Sequence, residues 1–178
     1  MSTPPPIATL TLVNETTLEA EGKRYACRIG RAGLAAVGEK REGDLKTPRG
    51  SFALRGCYYR PDRIAPPLQT ALPLMPLTPE DGWCDDPAHA LYNQPVKLPF
   101  AARHEKLWRA DGIYDLIIPL GYNDGIDAPV ITGAGSAIFM HVMREDGAGT
   151  EGCIALAQAD LLEVLRRVTP QTRLVIAC

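Results

Sequence analysis

The stretch that decides the reading is residues 138–156, IFMHVMREDGAGTEGCIAL. Its opening alternates: Ala137, Phe139 and His141 share one face of a strand, and Ile138, Met140 and Val142 share the other. Asp146-Gly147-Ala148-Gly149 then breaks the pattern with turn-forming residues, and Thr150-Glu151-Gly152-Cys153-Ile154 leads into a second apolar run. A histidine at a strand end is followed by a cysteine across a loop short enough to bring the two back together. That arrangement suits a Cys-His dyad, in which the imidazole of His141 takes the thiol proton of Cys153 and the resulting ion pair stabilises the thiolate. Gly152 lets the backbone approach a substrate closely, and the amides of Gly152 and Cys153 are candidate donors to a developing oxyanion.

Working outward, Leu161, Leu162, Val164, Leu165 and Val168 recur at helical spacing, with Glu163, Arg166 and Arg167 opposite. Thr169-Pro170 ends that helix, and residues 173–178 form a closing strand. On the other side, residues 114–120 pair with 137–142 as core strands. The first half reads as strands at 7–13, 16–20 and 23–29, with Glu21-Gly22 as a two-residue hairpin turn. Residues 43–54 (GDLKTPRGSFAL) place a loop before a further strand at 51–54. Between 61 and 112 nine prolines dissolve the pattern, which predicts a loop-rich, proline-rich insertion without regular helix or central strand. The chain forms one domain, 1–178.

Composition agrees. Among 178 residues, 16 Gly and 16 Pro without a repeat disfavour a helical bundle and favour short strands joined by turns. A formal charge of −2, with 19 Lys+Arg against 21 Asp+Glu and no basic run, argues against nucleic acid as a partner. No apolar stretch approaches the roughly 18 to 20 residues of a membrane span, and the opening, with Pro4, Pro5 and Pro6 and no cation before Lys23, lacks the pattern of an export signal. Five widely spaced cysteines form no CxxC pair and no metal-ligand spacing with histidine, so no metal is expected. Cys27, Cys57 and Cys178 read as packing.

On these residues the chain resembles the L,D-transpeptidase catalytic domain (YkuD-like) family. The pattern of that family is a strand-end His, a glycine-rich loop, then Ser/Thr-x-Gly-Cys and an apolar residue, here His141 and Thr150-Glu151-Gly152-Cys153-Ile154. An upstream Thr-Pro-x-Gly-x-Phe turn stands as Thr47-Pro48-Arg49-Gly50-Ser51-Phe52. The resemblance covers roughly residues 23–178. It implies a mainly β fold with minor α: a mixed β-sandwich with one C-terminal helix near the active site and a long loop-rich insertion. It also implies metal-free, cofactor-free acyl transfer on peptidoglycan stem peptides through a Cys153 thioester, and a covalent adduct with carbapenems. The acceptor is an amine or, in an L,D-carboxypeptidase or other cysteine amidase, water; a non-catalytic peptidoglycan-binding protein is the alternative of another class. The substrate implies the periplasm or cell envelope, whereas the lack of an export signal leaves the cytoplasm open.

Three departures mark a divergent branch: Glu151 where the family usually has a second His, Ala155 for the Arg or Asn after the cysteine, and Val142 for a small residue after the histidine. Substrate-binding candidates are Thr150, Glu151 and Arg144 beside the dyad, and Trp83, Asp85, Asp86, Tyr92 and Asn93 in the insertion. Asp85 and Asp86 are candidates for holding a substrate amine, and Arg144 for meeting a carboxylate. Glu151, two residues before the sulfur, opposes thiolate formation unless it points away.

Overall fold

The computed structural model describes residues 5–177. Cys178, assigned above to the closing strand and to packing, lies outside the described residues.

The first half contributes β1 (Thr9–Asn14), β2 (Thr17–Ala20), β3 (Lys23–Arg28), β4 (Leu34–Ala35), β5 (Thr47–Pro48), β6 (Gly50–Ala53) and β7 (Cys57–Tyr59). The insertion contributes β8 (Leu74–Pro76), β9 (Asp81–Cys84), β10 (Pro95–Lys97) and β11 (His104–Lys106). The remainder forms β12 (Leu116–Pro119), β13 (Phe139–Val142), β14 (Ile154–Leu156), α1 (Gln158–Leu165) and β15 (Arg173–Ile176). Ten strands make one curled, mixed sheet in the order β6-β15-β1-β2-β3-β14-β13-β12-β7-β8. β15 pairs parallel with β1 and antiparallel with β6, so the last strand is an interior strand. The β2–β3 hairpin turns through Glu21 (φ 49°) and Gly22 (φ 79°), the two positive values that a tight hairpin turn demands.

Alternation along the strands sorts the apolar side chains into two clusters. Leu10, Leu12, Leu18, Tyr25, Met140, Ile154 and Leu156 belong to the larger, together with Leu161, Val164 and Leu165 of α1. Each such side chain contributes roughly 1.5–3 kcal/mol by leaving water. This burial holds a helix of eight residues, too short to persist alone and without a side-chain cap at Ala157. The smaller cluster contains Leu77, Trp83, Leu107, Tyr114, Ile117, Phe139 and Cys153. Phe139 and Met140, neighbours on one strand, fall in different clusters. The helix therefore follows the cysteine closely in the chain yet packs on the sheet face opposite the thiol.

The insertion departs from the reading above. Instead of an unstructured loop it builds a three-stranded sheet in the order β10-β9-β11, while β8 pairs parallel with β7 on the edge of the main sheet. The prolines permit this because they stay out of the centre. β9, the middle strand, is Asp81-Gly82-Trp83-Cys84, whereas Pro95 opens the edge strand β10 and Pro76 ends the edge strand β8. Among the described residues no helix is long and apolar enough to cross a membrane. The chain is mainly β with one helix, as the sequence reading expects.

Candidate active site

The parallel pairing of β13 with β14 matches Met140 to Ile154 and His141 to Ala155. Cys153, one residue before Ile154, therefore lies beside Phe139, on the face that carries His141. The Phe139 N–H donates to Cys153 Sγ at 3.4 Å, and the thiol donates to the Ala137 carbonyl at 3.2 Å. The His141 ring is bound through Nδ1 to the Val142 carbonyl at 2.8 Å. A carbonyl only accepts, so Nδ1 carries the proton and Nε2 is the basic nitrogen of the neutral ring. The Tyr114 ring packs edge-on against His141 with centroids 5.4 Å apart, fixing the imidazole from a second side. Cys153 and His141 line one cavity of about 580 Å³.

The turn that presents the cysteine is held by side-chain hydroxyls. Thr150 Oγ1 donates to the Cys153 carbonyl at 2.6 Å and accepts from the Gly152 N–H at 3.1 Å. The Gly152 amide is therefore engaged, and of the two amides proposed above for an oxyanion, only that of Cys153 lies outside this bond. Gly152 has φ 142°, and a Cβ there would come within 2.9 Å of the Lys46 carbonyl oxygen, so both conformation and space require glycine. Thr47, from the upstream turn motif, is fully buried; its Oγ1 accepts from the Gly30 N–H and donates to the Gly152 carbonyl, both at 2.8 Å. One hydroxyl thus joins the two sequence motifs.

Burial dominates the electrostatics. It pushes the Cys153 thiol up to about 12, with Glu105 adding to the rise and the Phe139 N–H opposing it. It also lowers His141 to about 4, against the Val142 hydrogen bond. Both groups are neutral near pH 7, in place of the thiolate–imidazolium pair expected from the sequence.

The other candidates divide into three groups. Lining the cavity, Glu151 is exposed and pairs with Arg31 at 3.4 Å, and Arg144 pairs with Asp146 at 2.7 Å. Asp85 also lines the cavity, paired with Arg103 at 3.1 Å. Asp86 instead caps a turn, accepting from the Ala88 N–H at 3.0 Å. Trp83, Tyr92 and Asn93 do not line the cavity but brace it. Asn93 Oδ1 accepts from Trp83 Nε1 and from the Ala137 N–H, both at 2.9 Å, and its Nδ2 donates to the Tyr122 and Asn123 carbonyls. Because the Ala137 carbonyl receives the thiol, Asn93 positions the acceptor that orients Cys153. Trp83 stacks edge-on on Phe139 at 5.0 Å, with an apolar cavity of about 250 Å³ behind it. The Tyr92 hydroxyl donates to Glu42 Oε2 at 2.5 Å.

The sequence reading missed Glu105 and Tyr114. The Tyr114 hydroxyl donates to Glu105 Oε1 at 2.6 Å, and both residues line the cavity. Tyr114 opens the 114–120 apolar run and was legible only as core. Glu105 sits in a His-Glu-Lys strand of the insertion with no motif around it.

Among the described residues no group of three or more His, Cys, Asp or Glu could hold a metal ion. No match was found among curated proteins or among solved structures. The model of the L,D-transpeptidase catalytic domain (YkuD) family matches residues 9–176, nearly the whole chain. With His141, Thr150, Glu151 and Cys153 lining one cavity, the conclusion is that this chain belongs to the L,D-transpeptidase catalytic domain (YkuD) family.

Proposed function

We propose that the protein is an L,D-transpeptidase that transfers the acyl group of a peptidoglycan stem peptide through a thioester on Cys153. The observation that carries this is the facing of one thiol and one oriented neutral imidazole onto a single cavity, in a chain whose family acts on peptidoglycan. Cys153 leaves the Ala137 carbonyl and gives its proton to His141 Nε2 as the sulfur attacks the amide carbon. Because both groups rest neutral, proton transfer accompanies attack instead of preceding it. The oxyanion is received by the Cys153 amide. His141 returns the proton to the departing amine of the terminal D-amino acid, leaving the thioester. An amine acceptor then attacks, the C–N bond forms, the C–S bond breaks, and the thiol is regenerated.

Intact-mass spectrometry after mixing with a tetrapeptide-stem muropeptide tests this. An increase equal to the donor acyl group, located on Cys153, is expected, and a carbapenem should add to the same residue. Cys153→Ala should lower turnover by at least about a thousandfold while keeping the fold. Acylation elsewhere, or wild-type turnover in that variant, overturns the nucleophile assignment.

A further inference from the structure

Most of the acidic side chains around the cavity have a cation within ion-pair distance. Of the four acidic side chains lining it, Glu42 has Arg103 at 3.8 Å, Asp85 has Arg103 at 3.1 Å and Glu151 has Arg31 at 3.4 Å. Glu105 has no cationic partner within ion-pair distance among the described residues. Its Oε1 accepts from the Tyr114 hydroxyl, while Oε2 has no bond there and is not sealed from solvent. The nearby cation Arg109 is occupied by Asp111 at 2.5 Å. A partly buried carboxylate with one free oxygen, facing the cavity of a nucleophile, is a binding group for a positive charge that the protein does not itself provide.

We propose that Glu105 is the specificity-determining carboxylate of this site, holding the ammonium group of the amine acceptor that attacks the Cys153 thioester. The inference rests on the function proposed above and adds to it the residue that selects an amine over water. In the balanced step the acceptor arrives as an ammonium on Glu105. It loses two protons as its nitrogen bonds to the acyl carbon and the C–S bond breaks; one proton returns to the sulfur by way of His141 and the other leaves to solvent. Electrostatics favour the pairing: burial raises the Glu105 carboxyl, a cost that a bound cation relieves.

The test is a binding measurement on the Cys153→Ala protein, which cannot turn over. Calorimetric titration compares a tetrapeptide-stem muropeptide whose side-chain amine is free with the same compound acetylated on that amine. Preference for the free amine by roughly tenfold or more is expected, the size of a charge-assisted hydrogen bond. Adding Glu105→Gln, which keeps the hydrogen bond from Tyr114 and removes only the charge, should abolish that preference, and Glu105→Asp should restore part of it. Equal binding of the two compounds, or a preference unchanged by Glu105→Gln, overturns the proposal. Acylation of Cys153 in the unmutated protein is read separately by mass, so a failure of the thioester chemistry is distinguishable from a failure of the charge selection.

Discussion

The β13–β14 strand pair and the β9–β11 insertion sheet meet at the same cavity but are built on opposite principles. The strand pair is buried: its thiol and imidazole are neutral and held by main-chain groups at Phe139, Ala137 and Val142. The insertion brings charge, with Asp85 and Glu105 on the cavity wall, while Asn93 and Trp83 brace that wall from behind. In the proposed reaction, backbone geometry positions the reacting atoms, where small displacements are costly. The selection proposed for Glu105 is made by a side chain of the insertion sheet. The two regions are joined where Asn93 accepts from the Ala137 N–H.

The sharpest way to break this contrast is to show that the thiol of the strand pair is not held neutral by burial. A thiol moved from 9.0 to about 12 has roughly a thousandfold less thiolate near neutral pH, so iodoacetamide should label Cys153 more slowly than a free thiol by about that factor. Peptide mapping of the label gives the rate, and fast labelling at pH 7 would contradict the burial argument.

The link between the regions is tested next. Asn93→Ala removes partners from Trp83 Nε1, the Ala137 amide and two carbonyls, and it places alanine at φ 60°. A loss of about 3 to 4 kcal/mol is expected from the denaturant midpoint. A change under about 1 kcal/mol would show the insertion to be an independent cover.

His141 gives a smaller effect with a definite sign. Its folded value, about 4, lies below the ordinary 6.5, so between those limits the unfolded chain binds a proton that the folded chain refuses. Stability from this residue is complete above 6.5 and falls as pH drops toward 4, by about 3 kcal/mol. Denaturation at several pH values should show this slope in the wild type and its loss in His141→Gln; parallel curves would deny the depressed value.

Smallest is Glu151→Gln. An exposed ion pair at 3.4 Å contributes under about 1 kcal/mol, so the melting temperature should barely move. A large drop would mean that Glu151 braces the turn.

What was legible in the sequence follows the same division. The strand pair was readable because alternation at Phe139, Met140 and His141 and the glycine before Cys153 are local requirements of backbone geometry. The Glu21-Gly22 turn and the helix spacing of Leu161, Val164 and Leu165 were readable for the same reason. The insertion sheet was not, since β9 to β11 have three or four residues each, too few for periodicity to show, and prolines at their edges mimic loop. The part proposed for Glu105 was invisible because it depends on which cations are already paired, a property of the folded surface alone. The neutrality of the dyad escaped likewise: motif spacing reports proximity, whereas protonation reports depth.

The interior place of β15 has a consequence for synthesis. Translation delivers β1 and β6 long before residues 173–176, and until that segment emerges each carries an edge of unsatisfied N–H and C=O groups. A copy released short of residue 173 has no strand to fill the gap. With residues 173–176 in place one edge each of β1 and β6 is paired, while loss of that segment leaves both open to aggregation and to proteases.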